Sequence, residues 1–382
     1  MKPYLTLDDV DVSGLSVLVR SDLNVPIDNG KVTDDFRIRA ALPTLELLVE
    51  RGAQVTVCSH LGRPKGAEPQ FSLRPVAVRM GELTDVAVRF GNASDWGITV
   101  IENTRFLSGE TNDDPMTANQ LARGHDLFVQ DAFGSVHRAH ASTVGIAKQL
   151  RSVAGPLLDA ELTALGRFVG DPDRPYVVVL GGAKVSDKLC VIQNLLPKVD
   201  MMLIGGGMCF TFLKSMRSGV GDSLVEESML DVAGDLLAHP KLGRKIILPL
   251  DVVVADRFAA DADHEVVIAH EIPDGVMGLD IGPAAAETFS RVIRGAGSVF
   301  WNGPMGVFEW EAFRNGTETV ARAMGECDGF TAVGGGDSAA AMRTLGLEDT
   351  ISHLSTGGGA GLELLEGRIL PGVEVLERWV TP

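Results

Sequence analysis

Basic and amide side chains gather directly after short β-branched runs in the first 140 residues. Arg20-Ser-Asp22-Leu-Asn24-Val-Pro26 follows the run at 17–20, and Ser59-His60-Leu-Gly-Arg63-Pro64 follows that at 55–59. Glu102-Asn-Thr-Arg105-Phe106 closes the run at 100–102, and Asp131-Ala-Phe-Gly-Ser-Val-His137-Arg138-Ala-His140 follows 127–130. Arg37, at the start of a helical pattern, adds a further cation. Arginine's planar fork matches carboxylate and phosphate oxygens in pairs. Four such loops on one face of one sheet predict a basic cup for a small polyanion. Singly, each loop has a plainer reading. Arg20 and Asp22 would form an ordinary salt bridge. His137 and His140, at i and i+3, suit metal ligation, but no nearby carboxylate or cysteine pattern completes a ligand set. Repetition at four successive strand ends favours the anion site.

The second half carries glycine at its strand ends instead. Gly181-Gly182-Ala-Lys184-Val-Ser-Asp-Lys188 follows one strand and opens a helix, and Gly205-Gly206-Gly207 follows the next. Trp301-Asn302-Gly303-Pro304, Gly334-Gly335-Gly336-Asp337-Ser338 and Ser355-Thr356-Gly357-Gly358-Gly359 come later. Glycine at a strand-to-helix turn lets backbone N–H groups approach phosphate oxygens, and the helix N-terminus adds a favourable dipole. Lys184 and Lys188, one helical turn apart, would place two ammonium groups on one face. Asp337 is a natural Mg²⁺ anchor, since Mg²⁺ takes one or two carboxylates together with nucleotide phosphates; its plainer role is a helix cap. The pattern is that of phosphate chemistry without a G-x-x-x-x-G-K-[ST] loop, a G-x-G-x-x-G fingerprint, or the H-R-D and D-F-G elements of protein kinases.

Short β-branched runs alternating with amphipathic stretches must hold these loops. Besides the four already named, strands are predicted at 177–180, 201–204, 246–248, 299–301, 331–333 and 353–355. Helices are predicted at 38–51, 73–82, 158–169, 187–198, 226–238, 283–294, 312–324 and 338–345. The alternation predicts β-α-β units and parallel sheets. A length of 382 residues suits two domains, and Gly170-Asp-Pro-Asp-Arg-Pro175 after an amphipathic helix marks the break. The expected division is a first lobe over 1–158, a linking helix over 159–170 and a second lobe over 171–369. Residues 1–158 carry 16 Lys and Arg against 19 Asp and Glu, and 12 of those cations are arginine; the remainder carries 18 against 32. A net charge of −17 disfavours nucleic acid as a partner. Cys58, Cys190, Cys209 and Cys327 are far apart and read as buried free thiols rather than a disulfide or zinc framework. The opening MKPYLTLDDVDVSG holds no signal-like apolar core, and no uncharged run reaches the roughly 18 residues that span a bilayer. A cytoplasmic protein without membrane partners is expected.

Together the segments VLVRSDLNVP (17–26), SHLGRP (59–64), ENTRF (102–106), DAFGSVHRAH (131–140), GGAKVSDK (181–188), IGGGMCFTFLK (204–214), WNGPMGVFE (301–309), GGGDS (334–338) and STGGGAGLELLEG (355–367) resemble the phosphoglycerate kinase family, in its order and over essentially the whole chain. The resemblance implies two Rossmann-like lobes, each a parallel sheet flanked by helices, joined by a hinge helix in a monomer that bends on closure. It implies reversible phosphoryl transfer between 1,3-bisphosphoglycerate and ADP with Mg²⁺, giving 3-phosphoglycerate and ATP, in glycolysis and gluconeogenesis. Asp22, Asn24, Arg37, His60, Arg63, Arg105 and Arg138 would then bind phosphoglycerate. Lys188, Asn302, Gly335, Gly336, Asp337 and Ser338 would face the phosphate and metal end of the nucleotide, with Asp337 on Mg²⁺. Glu309 would meet the ribose, and Gly205, Gly206, Gly207 and Gly278 would border the adenosine. Arg37, Lys184 and the backbone of Gly357, Gly358 and Gly359 would surround the transferring group. The segment 370–382 would return to the first lobe. Ser338, Met305 and Cys209 replace residues common in the family without loss of a functional group. Two other readings stay open on residues alone: a phosphotransferase for a different carboxylate, and a non-catalytic nucleotide-binding scaffold. The arginine set provides for two anionic ends, and Lys184, Lys188 and Asp337 are all retained.

Overall fold

The computed structural model describes residues 2–91 and 97–379. The end of the expected returning segment, 380–382, lies outside the described residues. The chain divides into two compact units, one made of 1–163 with 368–382 and the other of 164–367.

The first unit is built on six parallel strands: β1 (Ser16–Arg20), β2 (Gln54–Cys58), β3 (Val88–Phe90), β4 (Ile98–Val100), β5 (Leu127–Gln130) and β6 (Ser152–Ala154). They lie in the order β3-β4-β2-β1-β5-β6. Burial on both faces explains the near-continuous apolar runs of the central strands, as in Ser-Val-Leu-Val-Arg and Leu-Phe-Val-Gln. Helices α1 (Phe36–Glu50), α2 (Arg74–Leu83) and α3 (Pro115–Ala122) connect its strands. Helix α1 turns Ile38, Ala41, Leu42, Leu45 and Leu48 into the core with Val17, Val19, Val55 and Val57. That packing fixes the first turn of α1, where Arg37 stands. Strand order reverses at β1, between β2 and β5, where ligands of open parallel sheets bind beyond the carboxyl ends of the strands.

Helix α4 (Pro156–Val169) contains the division between the units. Its N-terminus belongs to the first, where Leu158 N–H donates to Asp131 Oδ1 at 3.1 Å. Its last turns belong to the second, where Phe168 packs 5.6–5.7 Å from the rings of Tyr176, Phe300 and Phe330.

The second unit carries strands β7 (Tyr176–Leu180), β8 (Met201–Ile204), β9 (Ile246–Ile247), β10 (Asp251–Ala255), β11 (His264–Ile268), β12 (Met277–Ile281), β13 (Ser298–Asn302), β14 (Phe330–Gly334) and β15 (His353–Leu354). Six of them form a parallel sheet, β9-β8-β7-β13-β14-β15, whose order reverses between β7 and β13. Its helices are α5 (Leu189–Leu195), α6 (Met208–Ser215), α7 (Leu230–Ala238), α8 (Pro283–Arg294), α9 (Asn315–Gly325), α10 (Gly336–Thr344) and α11 (Gly358–Leu365). Helix α12 (Pro371–Glu377) lies in the first unit, where Gly372 N–H donates to Val136 O at 2.8 Å. The adjoining Trp379 Nε1–H donates to Ala147 O at 2.9 Å.

Several expectations need correction. The third predicted strand sits two residues earlier, at Ile98–Val100. Glu102 is loop, and its carboxylate accepts from Leu73 N, Asn103 N and the Ser72 hydroxyl at the start of α2. The second unit is not purely parallel: β11-β10-β12 form a separate antiparallel sheet. Strand β11 escaped notice because it is a largely exposed strand, with Val266 and Ile268 about half exposed, and so lacks an apolar run. Helix α6 begins directly after the run 205–207 and α11 inside the run 357–359, and neither was among the predicted helices. Of the four cysteines, Cys58 and Cys209 are buried and free, whereas Cys190 is exposed on α5 and Cys327 half-buried.

Candidate functional site

Beyond the carboxyl ends of β1, β2, β4 and β5, the first unit assembles the predicted cations. Arg37 Nη1 donates to Asn24 O at 2.9 Å and pairs with Asp22 at 3.3 Å. Asn24 Oδ1 accepts from Gly62 N at 2.8 Å, and Gly62 O accepts from Arg105 Nη1. The loops after β1, β2 and β4 are thereby tied together. Arg63, Arg105 and Arg138 line one cleft of about 530 Å³, with Lys65 and His140; Asp22, Asn24, Arg37 and His60 lie outside that lining. Arg105 is crowded by its own kind: burial, and then Arg138, Arg20 and Arg63, hold its pKa below the ordinary guanidinium value. Its Nε–H is buried without a partner. A half-buried cation with an unpartnered donor, whose three cationic neighbours outweigh the carboxylate of Glu110, suits an anionic ligand.

Asp22 and His60 show the opposite consequences of burial. For Asp22, burial raises the pKa, but the fields of Arg37 and Arg20 and the Asn24 N–H outweigh it and hold the carboxylate below its usual range. For His60, burial and the fields of Arg20, Arg105 and Arg37 overcome Asp22, and the imidazole is neutral well below its ordinary titration range.

Two plainer readings fail here. Arg20 does not pair with Asp22; its side chain turns to Ser142 at 2.9 Å and to His60 Nδ1 at 3.1 Å. His137 and His140 do not converge on a metal position, and among the described residues no group of three or more His, Cys, Asp or Glu could hold one. His137 Nε2 accepts from Arg138 Nε at 3.0 Å, and His140 Nδ1 lies 3.9 Å from Glu110. Glu110 and Ser142, both fully buried, were not singled out by the sequence. Glu110 stands in the polar stretch Ser-Gly-Glu-Thr-Asn-Asp-Asp, where nothing distinguishes it from a solvated residue.

In the second unit, the loops after β7, β8, β13 and β14 meet at the point of strand-order reversal. Gly181 N donates to Asn302 O at 3.0 Å, Gly182 N to Pro304 O at 2.9 Å, and Gly206 N to Met305 O at 3.1 Å. Gly303 N donates to Ser338 Oγ at 2.6 Å, and Asn302 Nδ2 to Gly334 O at 2.8 Å. Many of these glycines serve close packing, not phosphate contact. A Cβ on Gly181 would lie 2.1 Å from Pro304 O, and one on Gly206 2.6 Å from Gly182 N. The N–H groups of Gly181, Gly182, Gly205 and Gly206 already have carbonyl partners. What stays open is the first turn of two helices, α10 with Gly336, Asp337 and Ser338, and α11 with Gly358 and Gly359. These ends adjoin: a Cβ on Gly358 would sit 3.3 Å from Gly335 Cα. Two helix N-termini side by side make a strong anion position.

Lys188 precedes α5, and burial pushes its pKa down to about 8 against the pull of Asp187 and Asp337. Lys184 is exposed in the turn before α5, which begins only at Leu189; the two lysines therefore do not share a helical face as predicted. Asp337 is exposed in the first turn of α10 and accepts no hydrogen bond from the described residues, which suits a carboxylate that meets a hydrated cation. Asn302 Oδ1 is buried without a partner. Gly278 lies on β12 against Phe210, its N–H donating to Ser223 Oγ at 2.9 Å. Glu309 is exposed in the segment whose Val307 N donates to Leu279 O at 2.9 Å, next to that strand. Gly207 precedes α6 and faces Leu224.

A family model described as phosphoglycerate kinase matches residues 7–368. A phosphoglycerate kinase of Salinispora arenicola is 55% identical over 97% of this chain and 99% of its own length. Phosphoglycerate kinase 3, cytosolic, of Arabidopsis thaliana is 50% identical over 97% of this chain and 98% of its own. Among solved structures, phosphoglycerate kinase from Coxiella burnetii matches with a TM-score of 0.88 at 40% identity, covering 98% of this chain and 99% of that one.

Proposed function

From the premise that the chain belongs to the phosphoglycerate kinase family, we propose that its two units divide that family's reaction by charge, the first holding the phosphoglycerate and the second the nucleotide. The reaction is the reversible transfer of a phosphoryl group between 1,3-bisphosphoglycerate and ADP, giving 3-phosphoglycerate and ATP. The orphaned Arg105 Nε–H within the arginine-lined cleft carries the first half of this division. The adjoining N-termini of α10 and α11 carry the second.

The nucleophile is a carboxylate in one direction and an ADP phosphate oxygen in the other. Both are anionic near neutral pH, so no general base is required. Catalysis then consists of aligning the reactants and neutralising charge on the three equatorial oxygens. Asp22, Asn24, His60, Arg63, Arg105 and Arg138 bind phosphoglycerate. Arg37, held by Asp22 and Asn24 O, offers its remaining N–H groups to the transferring group. In the second unit, Lys184 and the N–H groups at Gly357, Gly358 and Gly359 are assigned to the transferring phosphoryl group. Lys188, Gly335, Gly336 and Ser338 hold the nucleotide phosphates, with Asn302 beside them. Glu309 meets the ribose, and Gly205, Gly206, Gly207 and Gly278 border the base. Asp337 would hold Mg²⁺, which when bound neutralises phosphate charge and orients the oxygens for transfer. The reactants meet in line only with water excluded, since the acyl phosphate is otherwise hydrolysed. Among the described residues no helix is long and apolar enough to cross a membrane. With two plant relatives named cytosolic, a cytoplasmic enzyme acting as a monomer is the proposal.

The test is a coupled assay with 3-phosphoglycerate, ATP and Mg²⁺, in which bisphosphoglycerate formation oxidises NADH through a dehydrogenase. Turnover that is lost with EDTA and in Lys188→Ala supports the division. Turnover that persists in Lys188→Ala with an unchanged KM for ATP refutes the nucleotide assignment.

A further inference from the structure

Arg20 ends β1 with a fully buried side chain, and among the described residues it forms no direct ion pair. Each edge of its guanidinium is nevertheless bonded. Nε donates to Ser142 Oγ at 2.9 Å, Nη1 to Ser21 O and to Ser59 Oγ at 3.4 Å, and Nη2 meets His60 Nδ1 at 3.1 Å. The counter-charge is one side chain away. Ser142 donates its hydroxyl to Glu110 Oε1 at 2.6 Å and its N–H to Oε2 at 3.0 Å, and the Thr104 hydroxyl adds a bond to Oε1 at 3.1 Å. Glu110 is itself fully buried. A buried charge lacking such a partner costs several kcal/mol, so Arg20 and Glu110 depend on each other through Ser142.

The direction of every bond in this chain is fixed by chemistry. Arginine donates only, and a carboxylate accepts only. Ser142 must therefore give its proton to Glu110 and receive Arg20 Nε–H on its lone pair. At the other end, His60 Nδ1 must accept from Arg20. An imidazole that accepts at Nδ1 is neutral and carries its proton on Nε2. The alternative tautomer and the imidazolium would each aim an N–H at the guanidinium.

We infer that Arg20, with Glu110 and Ser142 behind it, is a positioning residue for the first unit's anion site: it fixes His60 as a neutral ring that presents Nε2–H as a donor to the anionic substrate. The inference rests on the assignment of that site to phosphoglycerate. A donor held in this way does not switch off as pH rises through the ordinary histidine range. Arg20 acts without touching the reacting atoms, so its loss should fall on substrate affinity more than on turnover.

The test uses the full chain labelled with ¹⁵N-histidine. Long-range proton–nitrogen correlation identifies the protonated nitrogen of each ring, and His60 is assigned by the signal missing in His60→Gln. In the unsubstituted protein His60 should show a bare Nδ1 and a protonated Nε2, unchanged between pH 6 and 8. A proton on Nδ1, or titration in that range, overturns the inference without any variant. In Arg20→Met the tautomers should mix and the KM for 3-phosphoglycerate should rise roughly tenfold or more, the worth of one bond to a charged group. Turnover should change less than about threefold and the KM for ATP should stay the same; Arg20→Lys should recover part of the loss. An unchanged tautomer and KM in Arg20→Met overturn the inference. Should that variant not fold, Ser142→Ala removes only the bridging hydroxyl and should shift both readouts in the same direction; no shift in either overturns it. A His60→Gln protein with an unchanged KM for 3-phosphoglycerate defeats the site assignment instead, whatever the tautomer.

Discussion

The two units solve the problem of binding phosphate in opposite ways. In the first, the half-buried Arg37, Arg105 and Arg138 and the exposed Arg63 are backed by charged and polar side chains held in the interior: Arg20, Asp22, His60 and Glu110 are all 9% exposed or less. In the second, Lys184, Glu309 and Asp337 are exposed, and the enclosed polar surface is chiefly backbone at two helix ends. A small rigid acid brings no counter-ion of its own, so the protein must supply every charge at fixed positions. A nucleotide brings its own metal and a large surface, so glycine packing and helix dipoles suffice. The first strategy makes each side chain costly to change, and the second spreads the effect over many weak contacts.

This contrast can be tested most severely at Arg37. Replacing it by alanine should lower turnover by on the order of a hundredfold or more, as loss of a preorganised charge-stabilising donor does. Near-normal turnover in the coupled assay would remove Arg37 from the transfer step. The second unit should respond next most strongly, at Lys188. With its pKa pushed down to about 8 in the free protein, the ammonium loses its proton as pH rises through that value. The Kd for MgADP, measured by calorimetry, should therefore weaken by roughly tenfold between pH 7 and 9. The same slope in Lys188→Met would show that another group is responsible.

Two buried aspartates extend the comparison to stability. Asp280 in the second unit accepts from Gly316 N at 2.7 Å and Ile281 N at 2.9 Å, yet burial dominates and raises its pKa from 3.8 to about 8. The folded state then binds a proton that the unfolded state releases near pH 4, so this group's contribution to stability falls as pH rises from about 4 to about 8. Asp22 has the reverse sign, because its folded pKa is lowered. Its contribution is present above the unfolded value of 3.8 and is lost as pH falls through the folded value. Asp280→Asn, which mimics the protonated acid, should flatten the decline in unfolding temperature between pH 5 and 8, worth on the order of 1–3 kcal/mol. Asp22→Asn should leave that decline in place and lower stability at pH 7. Equal slopes in Asp280→Asn and the unsubstituted protein would contradict the raised pKa. The smallest effect belongs to an exposed group: Glu309→Gln should raise the KM for ATP by only about two- to threefold. A hundredfold change there would mean that the second unit also relies on single preorganised side chains.

Much of this was legible in the residues. Alternation of β-branched runs with amphipathic stretches identified the four inner strands of the first sheet and the six parallel strands of the second, because strands buried on two faces leave apolar runs. The same reasoning missed the three-residue edge strands β3 and β6, all of the antiparallel sheet β11-β10-β12, helix α3, and the glycine-led helices α6 and α11. Arg63, Arg105 and Arg138 stood out because arginine recurred at successive strand ends, and the fold brings these three to one cleft. Glu110 and Ser142 were not, since a glutamate within a polar stretch looks solvated until the fold buries it. The glycine runs were legible as special but not in their use. That Gly181 and Gly206 fill close backbone approaches, while Gly358 opens a helix end, depends on which loops lie opposite them.

The sequence by itself determined the types of side chain available, their order along the chain and the periodicities that make strands and helices, because these depend on local chemistry. Only the tertiary structure decided that Arg20 faces His60 rather than Asp22, that Lys184 and Lys188 leave a common helical face, and that α10 and α11 begin side by side. Charge, tautomer and pKa are set by what lies within a few ångströms. Residues more than a hundred positions apart, such as Arg20 and Ser142, become neighbours only when the first unit packs around its own sheet.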